Sequence, residues 1–341
     1  MIVPDAGDAR LDEAEVGRVL DLLRDASTVV LTTHEGPDAD GLGAEVALAR
    51  ALRRLGKRVR ILNADPTVNR FRFLDRDADF VIFKPEHAEA VRDADVAVLV
   101  DTSEHRRVGA VGAAFAARTG PTVCIDHHPR TRESIHGIVA AHLSSTGELM
   151  VHLLRRLGAT LDADLANPLY AAVLFDTDQF RFVRNDPGPF RIAAELVTAG
   201  ADAEGIARHM FGTVAKDAMV LLGRVMQAAH FEEGGRLAWA SITGETLAGL
   251  KVDRDEVRGS VMTLARIEGV QVAVVFKQFE TGRTIKVSMR SRGSVEVGDL
   301  AQALGGGGHK YAAGADVDGV MEAVTGRVLP VLRERLLNAV D

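Results

Sequence analysis

Two short apolar runs constrain this chain more than any other feature. Val96 to Val100 reads VAVLV and Thr122 to Ile125 reads TVCI, and each runs abruptly into an aspartate, Asp101 and Asp126. Neither run shows the alternation of a strand with one wet face, and both are too short for an ordinary helix, so they are expected as interior strands of a parallel sheet covered on both sides. The surrounding pattern agrees. Val16, Val19, Leu20 and Leu23 recur at helical spacing, Thr28 to Thr33 reads as a buried strand, and Leu42, Val46, Ala49 and Leu52 mark a helix ending near Gly56, before a strand from Arg58 to Leu62.

The character changes after Phe182. The turn-rich stretch RNDPGP is followed by helical patterns at Arg191 to Ala199, Ala203 to Phe211 and Lys216 to Ala229. A second unit then offers strands at Leu237 to Ile242, Val270 to Phe276 and Thr284 to Met289, a helix near 255–267, a glycine cluster at Gly305 to Gly308, and a last helix carrying Val320, Val324, Val328, Leu332 and Leu336. The expected fold is therefore α/β: a parallel-sheet domain over residues 1–213, a helical linker over 214–229, and a smaller α/β domain over 230–341, with the active site in the cleft between the two.

Composition sets limits on function. With 341 residues, 47% of them apolar and 26% charged, the chain can build two domains with real cores, which excludes disordered, collagen-like and coiled-coil readings. No apolar run reaches the roughly 18–20 residues of a bilayer-crossing helix, and the start MIVPDAGDARLDEAE is acidic where a signal peptide is basic, so a cytoplasmic protein without membrane partners is expected. The single cysteine, Cys124, lies inside an apolar strand and is expected to be a buried packing residue. Forty-one basic residues against 48 acidic ones give a net charge of −7 with no Lys/Arg block, which argues against tracking of long nucleic acid. A small anionic substrate would then need a compact positive site, and metal ions supply one.

The acidic and imidazole residues suggest where that site lies. His34, Asp38 and Asp40 follow the strand at 28–33; Asp101 follows Val96 to Val100; Asp126, His127 and His128 follow Thr122 to Ile125; Asp176 closes the apolar run Tyr170 to Phe175. In an open parallel sheet the carboxyl ends of the strands share one edge, where ligands bind, so these residues are expected to converge. Taken singly, each has an ordinary structural explanation: Asp38 or Asp40 as a helix N-cap, Asp101 or Asp176 as a turn residue, the Asp-His-His triplet as a surface turn. Taken together they do not, because independent caps need not share an edge. Crowded carboxylates are stable only if protonated or neutralised by cations. Carboxylate and imidazole donors without thiolate favour two divalent ions, Mn²⁺ first, with Mg²⁺ and Co²⁺ as alternatives.

The segments THEGPDAD (33–40), VLVDTS (98–103), IDHHP (125–129) and LFDTDQF (174–180), in this order, resemble the DHH phosphoesterases. VSMRS (287–291) and GGGGHKYAAG (305–314) resemble the DHHA1 domain that accompanies them, and the length and layout are similar to the NrnA-type branch, oligoribonucleases that also dephosphorylate 3′-phosphoadenosine 5′-phosphate. The resemblance implies a two-metal site in which His34, Asp38 and Asp101 hold one ion and Asp40, Asp101, His127 and Asp176 the other, with Asp101 between them. His128 would face the substrate phosphate and Asp126 would orient it. Two positions depart from the family pattern: Asp178 stands where glycine is common and could compete with Asp176, and Ala44 stands where serine is frequent.

Four glycines exceed what a helix end requires, and a run without Cβ atoms lets backbone N–H groups approach an anion. Gly306, Gly307, Gly308 and His309, together with Arg290 and Ser291, are therefore expected to hold the nucleotide, with Lys310 and Arg292 adding charge. The expected substrates are short RNA oligonucleotides and small nucleotides such as 3′-phosphoadenosine 5′-phosphate, hydrolysed by metal-activated water. Alternatives are a cyclic di-AMP or pApA phosphodiesterase, a family II inorganic pyrophosphatase, a RecJ-type exonuclease, or a non-catalytic nucleotide-binding module. A homodimer is left open.

Overall fold

A computed structural model describes residues 11–183, 185–252, 254–278, 283–293 and 295–339. The chain divides into two compact units, residues 1–213 and 214–341. In the first, helix α1 (Glu13–Asp25) starts at Asp12, whose carboxylate accepts the N–H groups of Ala14 and Glu15, and buries Val16, Val19, Leu20 and Leu23. Six strands follow: β1 (Thr28–Thr32), β2 (Arg58–Asn63), β3 (Phe80–Ile82), β4 (Val96–Val100), β5 (Thr122–Asp126) and β6 (Gly137–Val139). They pair in parallel in the order β3-β2-β1-β4-β5-β6. The chain passes from β1 to β2 on one side and returns to β4 on the other. The crevice beyond the carboxyl ends of β1 and β4 is therefore the point where strand order reverses.

The helices of this unit are α2 (Ala39–Arg54), α3 (Ala88–Asp93), α4 (Gly112–Ala116), α5 (Thr146–Arg156), α6 (Ala163–Asp176), α7 (Gly188–Thr198) and α8 (Ala203–Phe211). The sheet is buried on both faces. One side packs Val29, Leu31, Val98, Val100 and Ile125 against α2, α5 and α6, and the other packs Val30, Leu62, Ala97, Leu99 and Cys124 against Val91, Val108 and Phe115. Cys124 is fully buried, as expected from its place in β5. Helices α2 and α6 approach closely enough that a Cβ on Gly43 would lie 2.3 Å from the Pro168 carbonyl oxygen.

One expectation is corrected. Tyr170 to Phe175 is the last part of helix α6, so Asp176 ends a helix and not a strand. Helix α6 contacts α2, α5, α7 and α8, and a helix covered on so many sides loses its polar stripe. Its sequence then reads as a continuous apolar run, which periodicity alone cannot separate from a buried strand.

The second unit begins with α9 (Lys216–Gln227), continues through β7 (His230–Glu232), β8 (Leu237–Ile242), α10 (Gly244–Leu247), α11 (Arg254–Ala265), β9 (Val272–Gln278), β10 (Thr284–Ser291), α12 (Gly298–Ala303), β11 (Gly307–His309) and β12 (Ala312–Asp318), and ends with α13 (Met321–Asn338). Its sheet runs β11-β12-β10-β9-β8-β7, antiparallel except for the β8–β9 pair. Alternation sorts the strands onto two cores: Leu237, Val272, Val274 and Phe276 meet Val328 and Leu332 of α13, while Ala238, Ala240, Ala273 and Val275 meet Leu221 and Val225 of α9 and Leu264 of α11. The segment expected as a linker thus contributes α9 to the core of this unit. Among the described residues no helix is long and apolar enough to cross a membrane.

Candidate metal centre

The loop between β1 and α2 carries the first candidate donors. His34 is buried, and its Nδ1 lies 2.9 Å from the Glu35 carbonyl oxygen, a contact that, with Nδ1 protonated, turns Nε2 inward as an acceptor. Asp38 divides its two oxygens: Oδ1 caps α2 by accepting the N–H groups of Asp40 and Gly41, and Oδ2 lies 3.8 Å from His34 Nε2. Capping α2 therefore leaves one Asp38 oxygen directed toward His34.

Asp101 sits directly after β4 with φ of +60°, a conformation that aspartate tolerates better than most residues. Its Oδ2 lies 3.4 Å from His34 Nε2, and its Oδ1 lies 3.7 Å from His127 Nε2. His127 Nε2 is in turn 3.7 Å from Asp40 Oδ2 and 3.0 Å from Asp176 Oδ2. Donor atoms of His34, Asp38 and Asp101 lie within 4.8 Å of one another, as do those of Asp40, His127 and Asp176, and those of Asp101, His127 and His128. The end of α6 thus delivers Asp176 to the same edge that β1, β4 and β5 reach. Asp178, the competing carboxylate, belongs to none of these groups; it pairs with Arg181.

The electrostatics of the cluster favour a cation. Burial and the charges of Asp101 and Asp176 push the Asp40 carboxyl well above its usual range. Burial alone would raise Asp101 too, but its hydrogen bond to His34 and the charges of the three histidines hold it far below. Burial opposes protonation of His127 and His34, yet Asp176 raises the first and Asp101 the second. Without ions the crowding favours protons on His34, His127 and Asp40. Oxygen and imidazole nitrogen donors converging at these separations fit hard or borderline divalent metal ions, which would replace those protons.

Asp126 ends β5 and turns back on the triplet. Its Oδ1 accepts the backbone N–H of His128 and lies 2.8 Å from His128 Nδ1, which fixes the imidazole so that Nε2 is the nitrogen facing away from Asp126. Several supporting residues were not legible as site residues. Helix α5 presents its N-terminus to Asp40, with Thr146 N–H at 2.7 Å from Oδ2 and Gly147 N–H at 2.8 Å from Oδ1, while the Thr146 hydroxyl donates to Asp101 Oδ1 at 2.8 Å. The one available signal was the segment Ser145 to Glu148, whose serine caps the helix through the Glu148 N–H. Glu45 and Asn63 form a second support: Asn63 donates to Glu45 at 2.8 Å and accepts the N–H of Thr33 at 3.0 Å, immediately before His34.

In the second unit, β12 lies between β10 and β11, and Arg290, Ala312 and His309 occupy one row across the three strands. Ser291 donates its N–H to the Tyr311 carbonyl at 2.8 Å. The glycines divide by role. Gly305 takes φ of +82° just after α12, and Cβ atoms on Gly306 and Gly308 would lie 2.1 and 2.6 Å from the carbonyl oxygens of Gly314 and Ala312. Strand pairing thus accounts for Gly306 and Gly308, whereas Cβ atoms on Gly305 and Gly307 would meet open space.

Comparisons with known proteins give the family and the fold. A DHH family N-terminal domain matches residues 28–173 and a DHHA1 domain matches residues 222–337. The bifunctional oligoribonuclease and PAP phosphatase NrnA of Thermus thermophilus is 33% identical over 91% of this chain and 91% of its own length. The cyclic-di-AMP phosphodiesterase GdpP of Geobacillus thermodenitrificans is 28% identical over 88% of this chain, which corresponds to 46% of that protein. A solved exopolyphosphatase-related protein from Bacteroides fragilis shares the fold with a TM-score of 0.85 at 23% identity, covering 96% of this chain and 97% of that one. With its DHH domain followed by a DHHA1 domain, the chain belongs to the DHH family and is a phosphoesterase.

Proposed function

We propose that this chain is a Mn²⁺-dependent hydrolase of short oligoribonucleotides and of 3′-phosphoadenosine 5′-phosphate. One observation carries the reading: the two oxygens of Asp101 face different ligand sets, Oδ2 toward His34 and Oδ1 toward His127. A carboxylate so divided suits two ions held side by side. His34, Asp38 and Asp101 would hold one, and Asp40, Asp101, His127 and Asp176 the other. Bound there, two divalent ions would polarise a phosphate oxygen and lower the pKa of a water molecule between them.

The remaining work belongs to the chain. Thr146 and Gly147 hold Asp40, and Thr146 holds Asp101, so the carboxylates keep their aim without solvent. Asp126 keeps His128 Nδ1 engaged, which leaves Nε2 to hold or release a proton at the leaving oxygen. Arg290, Ser291, Gly306, Gly307, Gly308 and His309 of the DHHA1 domain would bind the nucleotide end of the substrate, in a cytoplasmic enzyme. The match to NrnA over nearly the whole of both chains supports short RNA and 3′-phosphoadenosine 5′-phosphate. The match to GdpP supports cyclic di-AMP or pApA as a second reading, although it spans less than half of that protein.

The test is a parallel assay with Mn²⁺ on di- to tetranucleotide RNA, 3′-phosphoadenosine 5′-phosphate, cyclic di-AMP and pyrophosphate. Release of mononucleotides from the RNA and of phosphate from 3′-phosphoadenosine 5′-phosphate is expected. Preference for cyclic di-AMP would promote the second reading, and turnover of pyrophosphate alone would overturn both.

A further inference from the structure

Most arginines near the strand ends of the first unit are committed to carboxylates. Arg106 pairs with Glu104 and Glu133, Arg130 with Glu15, and Arg50 with Asp77 and Asp164. Arg107 differs. It is partly buried, yet among the described residues its guanidinium has no hydrogen bond or ion pair. Its charge is felt at the Glu104 carboxylate, but no carboxylate among the described residues touches it, and a partly buried guanidinium whose N–H groups are unpaired is suited to a ligand that supplies the acceptors.

Its position points to that ligand. Arg107 lies six residues beyond Asp101, and its carbonyl oxygen accepts the N–H of Glu35 at 2.7 Å, which fastens its main chain to the turn that carries His34. Two residues on, a Cβ at Gly109 would lie 2.5 Å from Glu35 Oε1, so the loop fits closely against that turn and has little room to swing away. Arg107 is close enough to His34 for the two side chains to interact electrostatically.

Charge balance says why a cation is needed there. Asp38, Asp40, Asp101, Asp126 and Asp176 together carry up to five negative charges, and two divalent ions supply four positive ones. A loaded centre of that kind has no surplus charge with which to attract a phosphate. Arg107 is a cation beside the His34 turn that is not in contact with a carboxylate among the described residues, and a guanidinium matches two phosphate oxygens in a planar fork.

We propose that Arg107 is the phosphate grip of the first unit, binding the two non-bridging oxygens of the substrate's phosphate on the His34 side of the centre. The inference rests on the hydrolase reading above and adds a specificity residue to it. It selects for a phosphate with at least two unesterified oxygens, as in a diester or a monoester.

The test uses the full chain loaded with Mn²⁺, in wild-type, Arg107→Ala and Arg107→Lys forms. Adenosine 5′-monophosphate binding is measured by calorimetry, dinucleotide hydrolysis by steady-state kinetics, and Mn²⁺ binding separately. Arg107→Ala should weaken nucleotide binding and lower kcat/KM by about 10- to 100-fold, the range for losing a charged hydrogen-bond pair. Arg107→Lys should recover only part of the loss, since a point charge cannot make the bidentate contact, and both variants should bind Mn²⁺ as the wild type does. Unchanged nucleotide binding in Arg107→Ala, or loss of Mn²⁺ binding together with it, would overturn the proposal. A wild-type protein inactive on the whole substrate panel would overturn the hydrolase reading itself and this inference with it.

Discussion

Glu45 offers a test of the site's architecture that needs no substrate. It lies on α2 with no exposure, one oxygen accepts the Asn63 side-chain N–H at 2.8 Å, and the other, Oε1, has no hydrogen-bond partner among the described residues. Burial pushes its carboxyl up to about 8, against 4.5 in an open chain. Between those values the folded protein keeps a proton that the unfolded chain has released, so stability falls as pH rises. Integrated from pH 5 to pH 8, at about 1.4 kcal/mol per pH unit, the loss comes to roughly 3–4 kcal/mol. Glu45→Gln keeps the shape and the acceptor for Asn63 but cannot ionise. Urea unfolding of both proteins in the presence of a chelator, at several pH values from 5 to 8, isolates the effect, because every other titrating group is common to the two. The wild type should lose about 3 kcal/mol relative to Glu45→Gln across that range. A constant difference between the two proteins would show that Glu45 is not a neutral buried acid, and the account of how Asn63 and Thr33 set the His34 turn would fall with it.

Three further outcomes are expected. His127→Ala should lower dinucleotide hydrolysis by about 10³-fold or more while circular dichroism and the unfolding midpoint stay near those of the wild type, since it removes a proposed metal donor from the rim of a sheet whose core is untouched. Asp126→Asn should reduce kcat by about 10- to 100-fold and alter the pH profile, because the amide oxygen can still accept from His128 Nδ1 but no longer brings the negative charge that supports the ring. Gly147→Ala should destabilise the protein by about 1–3 kcal/mol, measured by urea unfolding, and weaken metal binding, because the new Cβ would stand 2.4 Å from the Ala172 Cβ and 3.3 Å from Asp40 Oδ1.

What could be read from the sequence follows a physical rule. A strand buried on both faces must be apolar throughout, so the switch from VAVLV to Asp101 and from TVCI to Asp126 marks the strand ends and the edge where the candidate donors gather. Asp176 was placed at the correct edge for an incorrect reason: a fully covered helix imitates a buried strand, and α6 reaches the edge as a helix. The support from α5 was hidden because its donors are backbone N–H groups, which any residue can supply, and only the serine cap betrays the helix start. Glu45 was invisible for the opposite reason. An acid inside an apolar helix face is a departure from pattern, and sequence shows it without showing that Asn63, eighteen residues away on β2, meets it. The glycine cluster was read as a cradle for an anion, yet two of its members are required by close pairing with β12, so the excess of glycine reflects the sheet as much as the ligand.

The central claim is that Asp101 joins two adjacent cation sites. Crystals grown with MnCl₂ and measured for anomalous scattering at the manganese edge test it directly. The account predicts two peaks roughly 3.5–4 Å apart, one beside His34, Asp38 and Asp101 and one beside Asp40, His127 and Asp176, with an Asp101 oxygen toward each. A single peak, or ions bound away from Asp101, would contradict it.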